Sequence, residues 1–119
     1  MISYFLLALG GAVGTMARFA VGEWFKSLKW TDAFPWHTFV INVVGSFVLG
    51  ILVVACKDRP QLLLLLGTGF CGGFTTFSTF GVEVVHLLNE NRPVAACGYA
   101  IGSVVAGVFG AWLGMKLMK

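Results

Sequence analysis

The chain has 119 residues, of which 58% are hydrophobic and 11% charged, and its formal net charge is +3. With a mean hydropathy of +0.89, it has too few polar residues to cover a soluble domain, which places it among integral membrane proteins. Its positive charges sit at the ends of apolar stretches and give no sign of nucleic-acid binding. The apolar stretches are nearly continuous, whereas a sheet barrel needs runs of about ten residues of alternating polarity.

A hydrocarbon core about 30 Å thick needs about 20 apolar residues per helix. Four segments meet that length: Ile2 to Val21, Thr38 to Cys56, Leu62 to Val85 and Val94 to Met115. Residues 1–119 therefore read as one all-α, four-helix transmembrane domain. The longest connection, Gly22 to His37, is too short for an attached soluble domain. The first segment lacks a basic leading region and an Ala-x-Ala cleavage site, so it reads as a retained span and not a signal peptide. It carries Gly10, Gly11 and Gly14, with Arg18 near its end.

In the second segment Thr38, Asn42, Ser46 and Gly50 follow one another at intervals of four and lie along one helix face. The Asn42 amide can donate two hydrogen bonds and each hydroxyl one. Such a stripe either makes interhelical hydrogen bonds or lines a path for a polar solute.

The third segment carries Gly72-Gly73-Phe74-Thr75-Thr76-Phe77-Ser78-Thr79-Phe80 where a membrane helix is ordinarily Leu, Ile and Val. As one helix the stretch from Gln61 to His86 would be about 39 Å long, more than the membrane core. Paired glycines and hydroxyls make a break near Gly72 to Thr75 the expectation. Carbonyl oxygens freed there suit Na⁺ or another hard cation. Beyond the break Phe77, Phe80 and Glu83 stand three apart, and Thr79 lies four before Glu83, so ring edges, a hydroxyl and an acid share a sector. Ring edges carry partial positive charge and can contact an anion. The competing reading makes Phe70, Phe74 and Phe77 a core stripe.

The fourth segment repeats Gly98, Gly102, Ala106, Gly110 and Gly114 every four residues, with Ser103, Gly107 and Ala111 beside them. Stripes of small residues let helices approach closely in lipid. Four short helices do not readily enclose a solvated path alone, so an oligomer is expected. Cys56, Cys71 and Cys97 show no metal or disulfide spacing and read as buried small apolar residues. Lys57, Arg59, Lys116 and Lys119 fall at one end of the four spans, and Lys26, Lys29 and Arg92, with Arg18 close by, at the other. So even a balance leaves orientation unspecified. The chain could insert both ways and pair with an inverted copy, or take a single topology fixed by lipid or a partner.

Three elements together match a family pattern: Gly10-Gly11-x-x-Gly14-x-x-x-Arg18, Thr38-x-x-x-Asn42-x-x-Gly45-Ser46-x-x-x-Gly50, and Gly69-x-x-Gly72-Gly73 continuing through Phe80. Across nearly its full length the chain resembles the Fluc, or CrcB, family of fluoride channels. The resemblance implies an antiparallel, dual-topology homodimer in the bacterial inner membrane, with the third helix broken near its middle. Two pores would export fluoride passively and lower cytoplasmic fluoride, and a structural Na⁺ would sit at the central crossing. On this sequence it implies that Phe77 and Phe80 are the pore phenylalanines and that Asn42 donates to the anion. Carbonyls of Gly72 and Thr75 from both copies would ligate Na⁺, and Arg18 would make the vestibule electropositive. Thr38, Ser46, Thr79, Glu83, Tyr99 and Ser103 are further candidates for a polar track.

A proton-coupled small multidrug exporter is the alternative of similar size, but it needs a carboxylate deep in the bundle. Glu23 and Glu83 lie towards helix ends. A noncatalytic assembly subunit would explain the small-residue stripes but not the hydroxyl and phenylalanine run. His37 and His86 have no catalytic partner legible at a shared depth, so an enzyme is not expected.

Overall fold

A computed structural model describes residues 1–28 and 34–119. Lys29, counted above among the end charges, lies outside the described residues. Regular structure among them is entirely helical. α1 spans Ile2–Lys26, α2 Trp36–Ala55, α3 Pro60–Leu63, α4 Gly72–Phe74, α5 Ser78–Asn89 and α6 Pro93–Leu117, with a π-helical segment, Leu64–Cys71, joining α3 to α4. Four stretches are long and apolar enough to cross a membrane: α1, α2, the composite Pro60–Asn89, and α6. The longest dimension is 48 Å, which accommodates a core of about 30 Å with both interfaces.

Helix ends follow local chemistry. α1 runs past Val21 to Lys26, whose Nζ stands 3.8 Å from Glu23 Oε1. Pro60 and Pro93 open α3 and α6 in the first helical turn, where a missing N–H is harmless. After α5, Asn91 takes the left-handed conformation (φ 59°). The N–H groups of Arg92 and Asn91 then reach back to the carbonyls of Leu87 (2.9 Å) and Leu88 (3.1 Å). This paired cap satisfies the last carbonyls and turns the chain tightly enough to lay α6 against α5.

Glycine sets the two closest helix contacts. A methyl group at Gly10 would overlap the Leu65 carbonyl, and one at Gly14 the Phe70 carbonyl. α1 is thereby seated on the backbone of the π-helical segment. A methyl at Gly50 would overlap the Ala111 carbonyl, and one at Gly114 the Phe47 carbonyl, so α2 and α6 are joined in the same way. The α6 stripe is used within the chain only over its second half. Gly110 and Gly114 are buried, whereas nothing lies within 4 Å of a methyl built at Gly98.

Cys56 and Cys71 are buried, but Cys97 is exposed. The expectation of three buried thiols is corrected at Cys97, which shares with Gly98 an exposed side of the first half of α6. The buried cluster of Leu87, Ala96 and Tyr99, flanked by Phe34, Phe39, Phe80 and Val84, joins α5 to α6.

Candidate functional site

The helical path of the third span is interrupted after Phe74. Thr75 is extended (φ −86°, ψ 158°), and α5 begins at Ser78. The glycines before it are not the irregular residues, for Gly72 is helical (φ −62°, ψ −40°). Glycine is needed there for space: a methyl at Gly73 would press on the Gly11 carbonyl, while Gly72 lies open at the surface. Extended geometry suits the β-branched Thr75. Its methyl occupies the room left by Gly45, where an added methyl would overlap it, and its Oγ1 donates to the Cys71 carbonyl at 2.8 Å.

Side chains replace the backbone bonds lost at the interruption. The Thr76 N–H donates to Asn42 Oδ1 at 2.8 Å, and Asn42 Nδ2 donates to the Thr76 carbonyl at 3.0 Å. Thr79 N–H donates to Thr76 Oγ1 at 3.3 Å, and Arg18 Nε to the Gly73 carbonyl at 3.0 Å. An unbroken helix would send the Thr76 and Thr79 N–H groups to the carbonyls of Gly72 and Thr75. With those donors drawn to side chains, the two carbonyl oxygens are released from the helix ladder. Asn42 is thus an anchor of the interruption, with one Nδ2 hydrogen remaining for another acceptor. Arg18 is tied to the same segment and does not merely reach for the interface.

A second polar group lies on α5. Glu83 accepts from Thr38 Oγ1 at Oε2 (3.0 Å) and from Tyr99 OH at Oε1 (2.8 Å). Thr38 and Tyr99 are buried, so three spans meet at this carboxyl. His37 Nε2 stands 3.4 Å from Glu83 Oε2, a proximity that separation along the chain had hidden.

The phenylalanines divide. Phe70 and Phe74 stack with ring centroids 5.8 Å apart, whereas Phe77 lies beyond the interruption and is 83% exposed. The regular stripe of three is therefore broken at Phe77. Its ring centroid is 5.9 Å from that of Phe80, which in turn lies 5.0 Å from Tyr99.

Three cavities receive most of the sequence candidates. A groove of about 450 Å³ is lined by Asn42, Ser46, Gly72, Thr75, Phe77, Phe80 and Ser103, together with Thr76 and Gly45. Ser103 Oγ is buried with no hydrogen-bond partner among the described residues. Thr79 lies elsewhere: with Arg18 and Thr38 it lines a separate cleft of about 160 Å³. Glu83 and His37 line a third cavity of about 250 Å³, and Tyr99 is enclosed in the core. Thr76 was not singled out by sequence reasoning, and His37 was weighed only as a catalytic residue. Thr76 sits in the quoted motif, but only the Asn42 pairing reveals its part. Among the described residues no cluster of three or more His, Cys, Asp or Glu side chains could hold a metal ion.

Comparison with known proteins gives consistent matches. The profile of the family described as CrcB-like protein, Camphor Resistance (CrcB), matches residues 5–115. The chain is 46% identical over 112 residues to the fluoride-specific ion channel FluC 2 of Rhodococcus jostii (strain RHA1), covering 94% of this chain and 95% of that protein. It is 44% identical over 117 residues to fluoride-specific ion channel FluC of Gloeobacter violaceus, covering 96% and 94% of the two chains. Identity is also 44% over 117 residues, 98% of each chain, to FluC 2 of Bacillus cereus (strain ATCC 14579). With the family profile matching nearly the whole length and four helices long and apolar enough to cross a membrane, the chain belongs to the CrcB family.

Proposed function

We propose that this chain is the subunit of a passive fluoride-selective channel that exports fluoride across the bacterial inner membrane and lowers its cytoplasmic concentration. The observation that carries the reading is the groove at the interruption, lined by Phe77, Phe80, Asn42 and Ser103, whose hydroxyl has no partner among the described residues. Fluoride is small and tightly hydrated, so a pathway must replace its water with several donors while staying narrow. The free Nδ2 hydrogen of Asn42, hydroxyls and positive ring edges supply such donors. Among the described residues no lysine or arginine lines the groove, so no fixed cation from them would hold the ion and slow its release.

The groove is open on one side, and Phe77 is largely exposed beside it. An inverted second copy closing that side would complete an antiparallel, dual-topology homodimer with two pores. Near-even end charges support both insertions. Arg18, with Nε bound to Gly73, would present its remaining N–H groups to anions in the cleft it shares with Thr38 and Thr79. The Thr38 and Tyr99 hydroxyls each give their one hydrogen to Glu83, so this group would border the polar track and not add free donors to it.

The residues present fit the structural Na⁺ that the family resemblance implies. The carbonyl oxygens of Gly72 and Thr75 are released from the helix ladder by the Asn42 and Thr76 side chains, and Gly72 is open to a second copy. These oxygens from both copies would hold the ion. Bound there, Na⁺ would neutralise converging carbonyl dipoles at the crossing.

The proton-coupled exporter is not favoured. Both oxygens of Glu83 are occupied by hydroxyls, and the three relatives compared carry channel names. Proteoliposomes holding the purified protein test the proposal. Without a proton gradient fluoride should leave rapidly while chloride stays; equal passage of both ions, or of neither, contradicts it.

A further inference from the structure

We infer that His37 is a further residue of the anion path, a titratable counter-charge that sets how strongly Glu83 opposes an incoming anion. The inference rests on the channel reading above. His37 belongs to the first turn of α2 and stands 3.4 Å from Glu83 Oε2; its side chain is 38% exposed, against 18% for Glu83. The imidazole can therefore exchange protons with water while the carboxyl beside it is largely enclosed.

Position adds a second argument. His37 lines both the cavity that holds Glu83 and the cleft that holds Arg18, Thr38 and Thr79. It thus borders both cavities. Lys26 also lines both, but its ammonium is 76% exposed and pairs with Glu23, so among the described residues His37 is the basic group placed against Glu83.

The consequence is electrostatic. Hydroxyl bonds from Thr38 and Tyr99 satisfy the Glu83 oxygens without changing the net charge. A carboxylate near the path repels an anion, and the repulsion is strong where water is scarce. An imidazolium at 3.4 Å would make the pair neutral. Histidine is the side chain whose ordinary titration falls between pH 5 and 8, so acidification should raise anion conductance. Among the described residues, the other titratable groups bordering these cavities are Arg18, Glu23 and Lys26 on α1, His86 and Glu90 on or just after α5, and Arg92 before α6. Among them His86 is the other imidazole, and it serves as the control.

The test is fluoride current through the full-length protein in planar bilayers, with fluoride below saturation and both chambers moved from pH 8 to pH 6. Current reports the ion and not neutral hydrogen fluoride. Wild type should rise about threefold. His37→Gln should stay at the low level at both pH values, His37→Lys at the high level, and His86→Gln should rise as wild type does. A flat wild-type profile, or an undiminished rise in His37→Gln, overturns the inference while leaving the channel reading intact. No fluoride current at either pH overturns the channel reading and this inference with it.

Discussion

The glycine-seated contacts and the interrupted third span are built on opposite rules. Between α1 and the π-helical segment, and between α2 and α6, backbone meets backbone, because Gly10, Gly14, Gly50 and Gly114 present no side chain. At Thr75 to Thr79 the backbone abandons its own ladder, and Asn42, Arg18 and Thr76 supply the missing partners. Close backbone packing gives a rigid frame in lipid, where apolar burial does not favour one helix pairing over another. Side-chain substitution leaves released carbonyls, a spare amide hydrogen and an exposed phenylalanine, groups that can bind something else. In this chain the frame and the site are therefore separable by mutation.

The strongest challenge to that division is Gly14→Val. Its side chain would be driven into the Phe70 carbonyl, and overpacking against backbone should destabilise by about 3 kcal/mol or more. Loss of folded protein on size-exclusion chromatography is the expected readout; a well-folded variant would show that α1 is not seated by glycine. Asn42→Ala comes next. It strips the Thr76 N–H and carbonyl of their partners, a loss of about 2–4 kcal/mol for two unsatisfied backbone groups. Thermal unfolding in detergent measures this, and no shift would mean that Asn42 does not hold the interruption.

Thr38→Val keeps the shape of a buried side chain but removes one donor from Glu83. The expected loss is about 1–2 kcal/mol, with slower fluoride efflux from vesicles. Gly98→Ala is the smallest case, within about 0.5 kcal/mol, because a methyl there meets nothing within 4 Å in the single chain. A large drop at Gly98 in unfolding or oligomer assays would sharpen the comparison. It would show that the first half of α6 is a glycine-seated surface between copies.

The frame was largely legible in the sequence because apolar length and small-residue spacing directly reflect the membrane and close packing. Helix ends were less so: α1 crosses Gly22 to Lys26, since one glycine costs a helix only about 1 kcal/mol. The site was legible as a motif but not in its geometry. Glycines suggested where the chain would become irregular, yet they are helical, and the extended residue is Thr75, held by partners from α2. Thr79, four before Glu83, seemed to belong with Phe77 and Phe80 by helical period. The structure instead puts it in the Arg18 cleft. The contact of His37 with Glu83 joins residues 46 apart in sequence, and no periodicity within one helix reports a pairing between helices.

The central claim is that the interrupted span is the ion path and the glycine contacts its frame. Fluoride efflux from vesicles holding Phe80→Ile, beside wild type at equal protein density, tests it most directly. Flux should fall at least about tenfold with oligomer size unchanged and only a modest drop in unfolding temperature, from the packing lost against Tyr99. Flux equal to wild type would contradict it and remove the Phe80 ring from the path.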